Sequence, residues 1–261
     1  ETQQAGAAPT NDLDAWNASL LERGERRVYR GDELKHIAMP LGGIGAGQIY
    51  LRGDGTLNPW QNFNNFNSNA MVPDSFFAVR AKSASGAVQT RLLQLQPRDS
   101  AQGVQSIEFS GEYPFAWIEY LDDALPVRVS LEAFSPYIPL NTKDSGLPAV
   151  LFRFRVRNIS GEAVDASIMS AIPNLIGWDG YARTDPGPAH SEFGGNVNAF
   201  TRSEGAATLE MMSLPGETHA LSVETRILTN DSDVGPHMRH CKNAKVFYGH
   251  PAPVQKEGRP G

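Results

Sequence analysis

From Pro126 to Phe134 the apolar residues Val127, Val129 and Leu131 alternate with Arg128, Ser130 and Glu132. Ala149–Asn158 repeats the pattern, with Val150, Phe152, Phe154 and Val156 set against Arg153, Arg155 and Arg157. Successive side chains of a strand point to opposite faces, so this period of two predicts half-buried strands. The segment Asn158-Ile159-Ser160-Gly161-Glu162 reads as a turn, and alternation resumes at Val164, Ala166 and Ile168. Ala149–Ile172 is therefore predicted to be an antiparallel hairpin, with Phe152, Phe154 and Val156 inside and the three arginines outside. A one-residue slip would bury the guanidinium groups, so the facing is sharply specified. Further strands are predicted over Gly47–Arg52, Phe76–Lys82, Val88–Leu95, Ser106–Phe109, Phe115–Leu121, Ala206–Met212 and Leu221–Leu228.

Helical spacing is confined to the start. Leu13, Trp16, Leu20 and Leu21 recur as one face of a helix over Asp12–Gly24, with Asn11 or Asp12 to cap it and Gly24 to end it. Many short strands punctuated by 25 glycines and 18 prolines argue for an all-β, two-sheet antiparallel β-sandwich with a short N-terminal helix. The organisation expected is a tail and helix over 1–28, a sandwich domain over 29–229, and a C-terminal tail or interrupted segment over 230–261. Thr56–Asp74 and Asp179–Asn196 read as long loops, a length that often goes with function.

The 261 residues suffice for a large core, and 40% hydrophobic with 20% charged residues is ordinary for a globular protein. A net charge of −6 without a basic cluster gives no support for nucleic-acid binding. No apolar run reaches the roughly 18 residues of a transmembrane helix. The lone Cys241 excludes an intrachain disulfide. The polar, Ala-rich stretch Glu1–Asn11 reads as a mature start after export-signal removal or as a mere boundary; the first reading makes the protein soluble and exported, periplasmic or extracellular.

Candidate chemistry is sparse. Gly42, Gly43, Gly45 and Gly47 form a cluster, but the G-x-G-x-x-G spacing fails at Gln48 and a strand, not a helix, follows. These glycines instead permit close approach of a neighbouring backbone. His237-Met238-Arg239-His240-Cys241 holds ligand-type residues without zinc-site spacing, so no metal site and no cofactor is expected. Glycoside hydrolysis needs two carboxyl groups about 5–10 Å apart. Glu112, Glu119, Asp179 and Glu192 are acids of the right type, but the sequence pairs none of them. Trp60, Phe63, Phe66, Tyr113, Trp117 and Trp178 are able to stack on sugar rings or to fill a core. Trp60, Gln61, Phe63 and Asn64 form the best ligand or domain-interface candidate, as apolar anchors among amides. The alternative is that Trp60 and Phe63 close one end of the sandwich.

Two segments carry a more specific signal. One is His36-Ile37-Ala38-Met39-Pro40-Leu41-Gly42-Gly43-Ile44-Gly45-Ala46-Gly47-Gln48-Ile49-Tyr50-Leu51, continuing to Gly53-Asp54-Gly55 and Trp60-Gln61-Asn62-Phe63-Asn64. The other is Glu132-Ala133-Phe134-Ser135-Pro136-Tyr137-Ile138-Pro139-Leu140-Asn141, continuing to Asp144-Ser145-Gly146-Leu147-Pro148. With Gly111-Glu112-Tyr113-Pro114 and Leu125-Pro126-Val127 between them, they resemble the N-terminal domain of glycoside hydrolase family 116, which includes non-lysosomal glucosylceramidases and bacterial β-glucosidases. The resemblance is carried by Tyr29–Trp178 and fades after Gly180. It implies a β-sandwich that partners an (α/α)6 barrel, a retaining mechanism whose carboxyl groups lie in that barrel, and a β-glucoside or glycolipid substrate. No catalytic residue of this sequence follows from it. A free-standing carbohydrate-binding module and a structural accessory module remain the alternatives.

Overall fold

The computed structural model describes residues 13–22, 24–61, 71–72, 75–97, 101–176, 197–203, 206–212 and 223–228. Strand β7 (Phe115–Leu121) has the predicted limits. It lies in an antiparallel sheet of order β6-β7-β8-β9 with β6 (Ser106–Glu112), β8 (Val127–Phe134) and β9 (Leu151–Asn158). Alternation sets its two faces. Ile107, Phe109, Ile118, Tyr120, Val129 and Leu131 are buried on the inner face. Arg128, Arg153, Arg155 and Arg157 are exposed on the outer face, as predicted.

A second sheet, of order β10-β4-β5, covers the inner face with β4 (Phe76–Ser83), β5 (Val88–Leu92) and β10 (Val164–Ala171). The Phe77 ring meets Phe152 and Phe154 across the gap, each at 4.9 Å between centroids. Phe152, Phe154 and Val156 are half-buried against this core. Arg91 on β5 reaches Asp122, in the turn after β7, at 2.8 Å; the Asp122 side chain is 1% exposed, so this ion pair ties the two sheets together.

The predicted hairpin does not form. Strand β9 pairs with β8, Phe154 opposite Leu131, whereas β10 pairs with β4, Ile168 opposite Val79. The chain crosses from one sheet to the other between them. The polar turn serves a crossing as well as a hairpin: Asn158 Oδ1 accepts the Ser160 N–H at 2.9 Å, and Asn158 Nδ2 donates to the Glu162 carbonyl at 2.7 Å. The Ala84 N–H donates to the Ala163 carbonyl and fastens the crossing to the end of β4.

A third sheet joins the same core through Leu41, Leu51 and Leu57. It comprises β1 (Ala38–Leu41), β2 (Gln48–Arg52) and β3 (Leu57–Gln61), in that order. The Gly53-Asp54-Gly55 turn closes β2 onto β3, with Asp54 Oδ1 accepting from the Thr56 N–H at 3.0 Å and its hydroxyl at 2.6 Å. Strands β11 (Val197–Ser203), β12 (Ala206–Met212) and β13 (Val223–Leu228) form a fourth antiparallel sheet, where Leu209 and Met211 meet Ile176. Helix α1 (Leu13–Leu21) matches the predicted spacing, yet Leu13, Trp16, Leu20 and Leu21 are all exposed. Its predicted caps Asn11 and Asp12, and the 230–261 segment with His237, His240 and Cys241, lie outside the described residues.

Candidate functional site

The glycine cluster is the turn between β1 and β2, where Leu41 pairs with Ile49. Gly45 and Gly47 adopt φ of +74° and +87°, a left-handed backbone that suits glycine. Gly43 is glycine for a different reason. A Cβ there would lie 2.1 Å from the Leu147 carbonyl oxygen and 2.9 Å from the Gly146 carbonyl carbon. Of the cluster, Gly43 abuts the 135–147 segment, whereas a Cβ on Gly42 would meet Gly47 and one on Gly45 would meet nothing within 4 Å.

Hydrogen bonds stitch the two segments together. The Gly42 N–H donates to Ser135 Oγ at 2.6 Å, and the Ile44 N–H to the Ser145 carbonyl at 2.8 Å. Ser145 is 1% exposed; its hydroxyl accepts the Ile138 N–H at 2.9 Å and donates to the Ile138 carbonyl at 3.0 Å. The short helix α2 (Thr142–Ser145) starts on Asn141, whose Oδ1 accepts the Asp144 N–H at 3.1 Å. The two segments singled out in the sequence are thus one structural unit, held by the buried Ser135 hydroxyl and the Ser145 backbone carbonyl.

That unit is apolar on its outside. Ile44, Ile138 and Leu147 are about half exposed, and Leu140 is fully exposed. Tyr113, in the turn between β6 and β7, meets Tyr137 edge-on at 5.5 Å and extends the surface. Of these, the sequence marks only Tyr113 as a candidate to stack on a sugar; Ile44, Tyr137, Ile138, Leu140 and Leu147 belong to the two motif segments. Apolar residues inside a Pro-rich loop carry no periodicity, so nothing in the pattern distinguishes a covered loop from an open one.

Trp60 is elsewhere. It sits on β3 at 3% exposure, and its indole N–H donates to the Leu57 carbonyl at 2.8 Å. Its ring is buried with the core. Gln61 ends the same strand opposite Gln48, and Phe63 and Asn64 lie outside the described residues. Asn58 is buried too, with Oδ1 accepting the Val72 N–H at 2.9 Å.

Among the described residues, the candidate acids Glu112 and Glu119 are not gathered into a cleft. Glu119 stands on the outer sheet face directly opposite Glu108, which is paired with Arg30 at 2.7 Å. Desolvation holds the Glu119 carboxyl above its ordinary range, and the neighbouring Glu108 charge acts the same way; Arg128, Arg155 and Arg157 oppose the shift. Glu112 is exposed at the end of β6, while Asp179 and Glu192 lie outside the described residues. On the same sheet face Trp117 stacks on Phe115 at 5.6 Å and 12°, and the Arg26 guanidinium covers it at 3.6 Å. Among the described residues no three His, Cys, Asp or Glu side chains are grouped to hold a metal ion, and no helix is long and apolar enough to cross a membrane.

A protein-family model described as beta-glucosidase 2, glycosyl-hydrolase family 116 N-terminal, matches residues 38–248. The match starts at β1 and continues well past Gly180, where the motifs quoted from the sequence give out. It takes in the glycine turn, the 135–147 segment and the sandwich between them. The chain belongs to glycoside hydrolase family 116 and carries that family's N-terminal domain.

Proposed function

We propose that this chain is the bracing domain of a retaining β-glucosidase or glucosylceramidase-like enzyme whose catalytic carboxyl groups lie in a separate (α/α)6 barrel. The observation that carries the reading is the family match over residues 38–248. The character of the acids supports it. Hydrolysis with retention needs two carboxyl groups about 5–5.5 Å apart, flanking a bound sugar. Glu108 and Glu119 are neighbours, but they stand on an open sheet face among arginines, and Glu108 is already paired. Substrate contact is assigned to the barrel, with a β-glucoside or glycolipid as the substrate class.

An aryl β-glucoside tests the proposal. This chain alone releases no chromophore above the blank. Turnover that disappears in Glu119→Gln or Glu112→Gln would refute it. One observation favours a second reading, a carbohydrate-binding module: Phe115, Trp117 and Phe134 form a row on the outer face of the β6–β9 sheet. Glucan binding by the chain, lost in Trp117→Ala, would favour that reading; Arg26 over the indole argues against it.

A further inference from the structure

We infer that Leu140 is a hydrophobic knob by which this domain docks onto its catalytic domain, with Ile44, Tyr113, Tyr137, Ile138 and Leu147 forming the surface around it. The inference rests on the proposed bracing role and names the surface that performs it.

Leu140 combines two unfavourable features. The Asn141 N–H donates to the Ile138 carbonyl at 3.0 Å, so Ile138–Asn141 is a β-turn with Pro139 at its second position and Leu140 at its third. Leu140 has φ +65° there, the signature of a type II turn, whose third position ordinarily takes glycine or asparagine. A γ-branched side chain is strained in that conformation. It is also fully exposed, at 105% relative accessibility, so no contact among the described residues repays the strain. Strain held without a local partner points to a function outside the domain.

The neighbours make the knob part of a surface. Ile138 and Ile44 are both bonded to Ser145, Gly43 packs on the Leu147 backbone, and Tyr137 carries Tyr113. These six side chains are 42% to 105% exposed. They amount to on the order of 600 Å² of apolar surface, at the upper limit of what a monomer keeps uncovered. That is also the lower end of the contacts between domains of one chain, about 600–1,500 Å². The chemistry favours a protein surface over a glycan. None of the six is charged, and four are aliphatic without a hydrogen-bonding group. The two tyrosine rings meet at 67° and so present no flat platform to a sugar. Lys143 and the Asn141–Asp144 pair supply the polar rim. Buried hydroxyls of Ser135 and Ser145 hold the surface in place before docking, which lowers the ordering cost of association.

The test uses the complete polypeptide with Leu140→Gly or Leu140→Asn, both compatible with the left-handed turn. Ile159→Ser, 48% exposed and beyond the opposite end of the β8–β9 ladder, is the control. The readout is the rate of limited proteolysis between the domains, which does not depend on activity. The expected result is cleavage at least about tenfold faster in both Leu140 variants, the scale of a lost interface anchor, and wild-type rates in the control. The N-terminal domain itself should unfold no earlier than in wild type, because the strain is relieved. Cleavage within about twofold of wild type in both variants overturns the inference. So does a dimer that falls to monomers in Leu140→Asn while interdomain cleavage stays unchanged, which assigns the surface to a second copy. A raised KM with unchanged cleavage also overturns it, assigning the surface to the sugar. A complete polypeptide without β-glucosidase activity defeats the proposed function, yet the cleavage rates still decide the docking surface.

Discussion

Gly43→Ala is the sharpest perturbation of the unit formed by the glycine turn and the 135–147 segment. The added methyl would stand 2.1 Å from the Leu147 oxygen, 2.7 Å from its carbonyl carbon and 2.9 Å from the Gly146 carbonyl carbon. All three are backbone atoms, so no side-chain rotation relieves the clash. Gly43 has no positive φ, so the cost is steric alone. Overpacking of this kind costs about 1–3 kcal/mol. Pushing the turn away also weakens the Ile44–Ser145 hydrogen bond, which adds about 1 kcal/mol. The expected loss is therefore about 2–4 kcal/mol, a large fraction of the 5–15 kcal/mol typical of a domain. Gly45→Ala is the comparison: its Cβ meets nothing within 4 Å, and only the φ of +74° penalises it, by about 1–2 kcal/mol. Urea unfolding should show a lower midpoint for both at unchanged slope, with Gly43→Ala the lower. A Gly43→Ala midpoint equal to wild type, or above that of Gly45→Ala, would refute the contact between the two segments.

Arg91→Met should destabilise the protein by about 3 kcal/mol in the same assay, because it strands a buried carboxylate; an effect below about 1 kcal/mol would contradict the Asp122 pairing. Tyr120 is fully buried, which pushes its phenol pKa up, and its hydroxyl has no partner among the described residues. Tyr120→Phe should therefore be neutral or stabilising by up to about 1 kcal/mol, and a clear loss of midpoint would count against an unpartnered hydroxyl. Glu119 has its folded pKa raised, chiefly by desolvation, so folding favours its protonated form. Its favourable contribution is complete below the unfolded carboxylate pKa and is lost as pH rises through the folded value. The melting temperature of Glu119→Gln should accordingly rise relative to wild type as pH climbs through that window, and a constant or falling difference would be inconsistent with the shift.

The sandwich was legible wherever one strand face is buried and the other wet. In β8 and β9 the Val and Phe positions fix the facing of the arginines, because a single slip would put charge into the core. Strands β1 and β3 were not legible: they are short, and Pro40, Asn58 and Pro59 are residues that usually punctuate strands. Pairing across distance was not legible either. The Asn158–Glu162 turn has hairpin chemistry, and only packing of β10 beside β4, far earlier in the chain, decides that it is a crossing. At the site, the two motifs were readable as motifs, but their contact through Gly43 and Leu147 is a tertiary fact. Trp60 looked like a surface anchor because amides surround it in sequence; β3 turns its ring inward. Leu140 lies in one of the motifs, but a leucine beside a proline gives no hint of a left-handed turn.

In the proposed role this domain braces a glycosidase without performing its chemistry. Aryl β-glucoside hydrolysis, followed over time at elevated temperature, tests it in three samples: the complete polypeptide, this chain, and the complete polypeptide lacking this chain. The expected outcome is sustained activity in the first, none above the blank in the second, and activity absent or lost at least about tenfold faster in the third, the scale of a lost domain contact. Turnover by this chain alone, or a remainder as active and as long-lived as the whole, would contradict it.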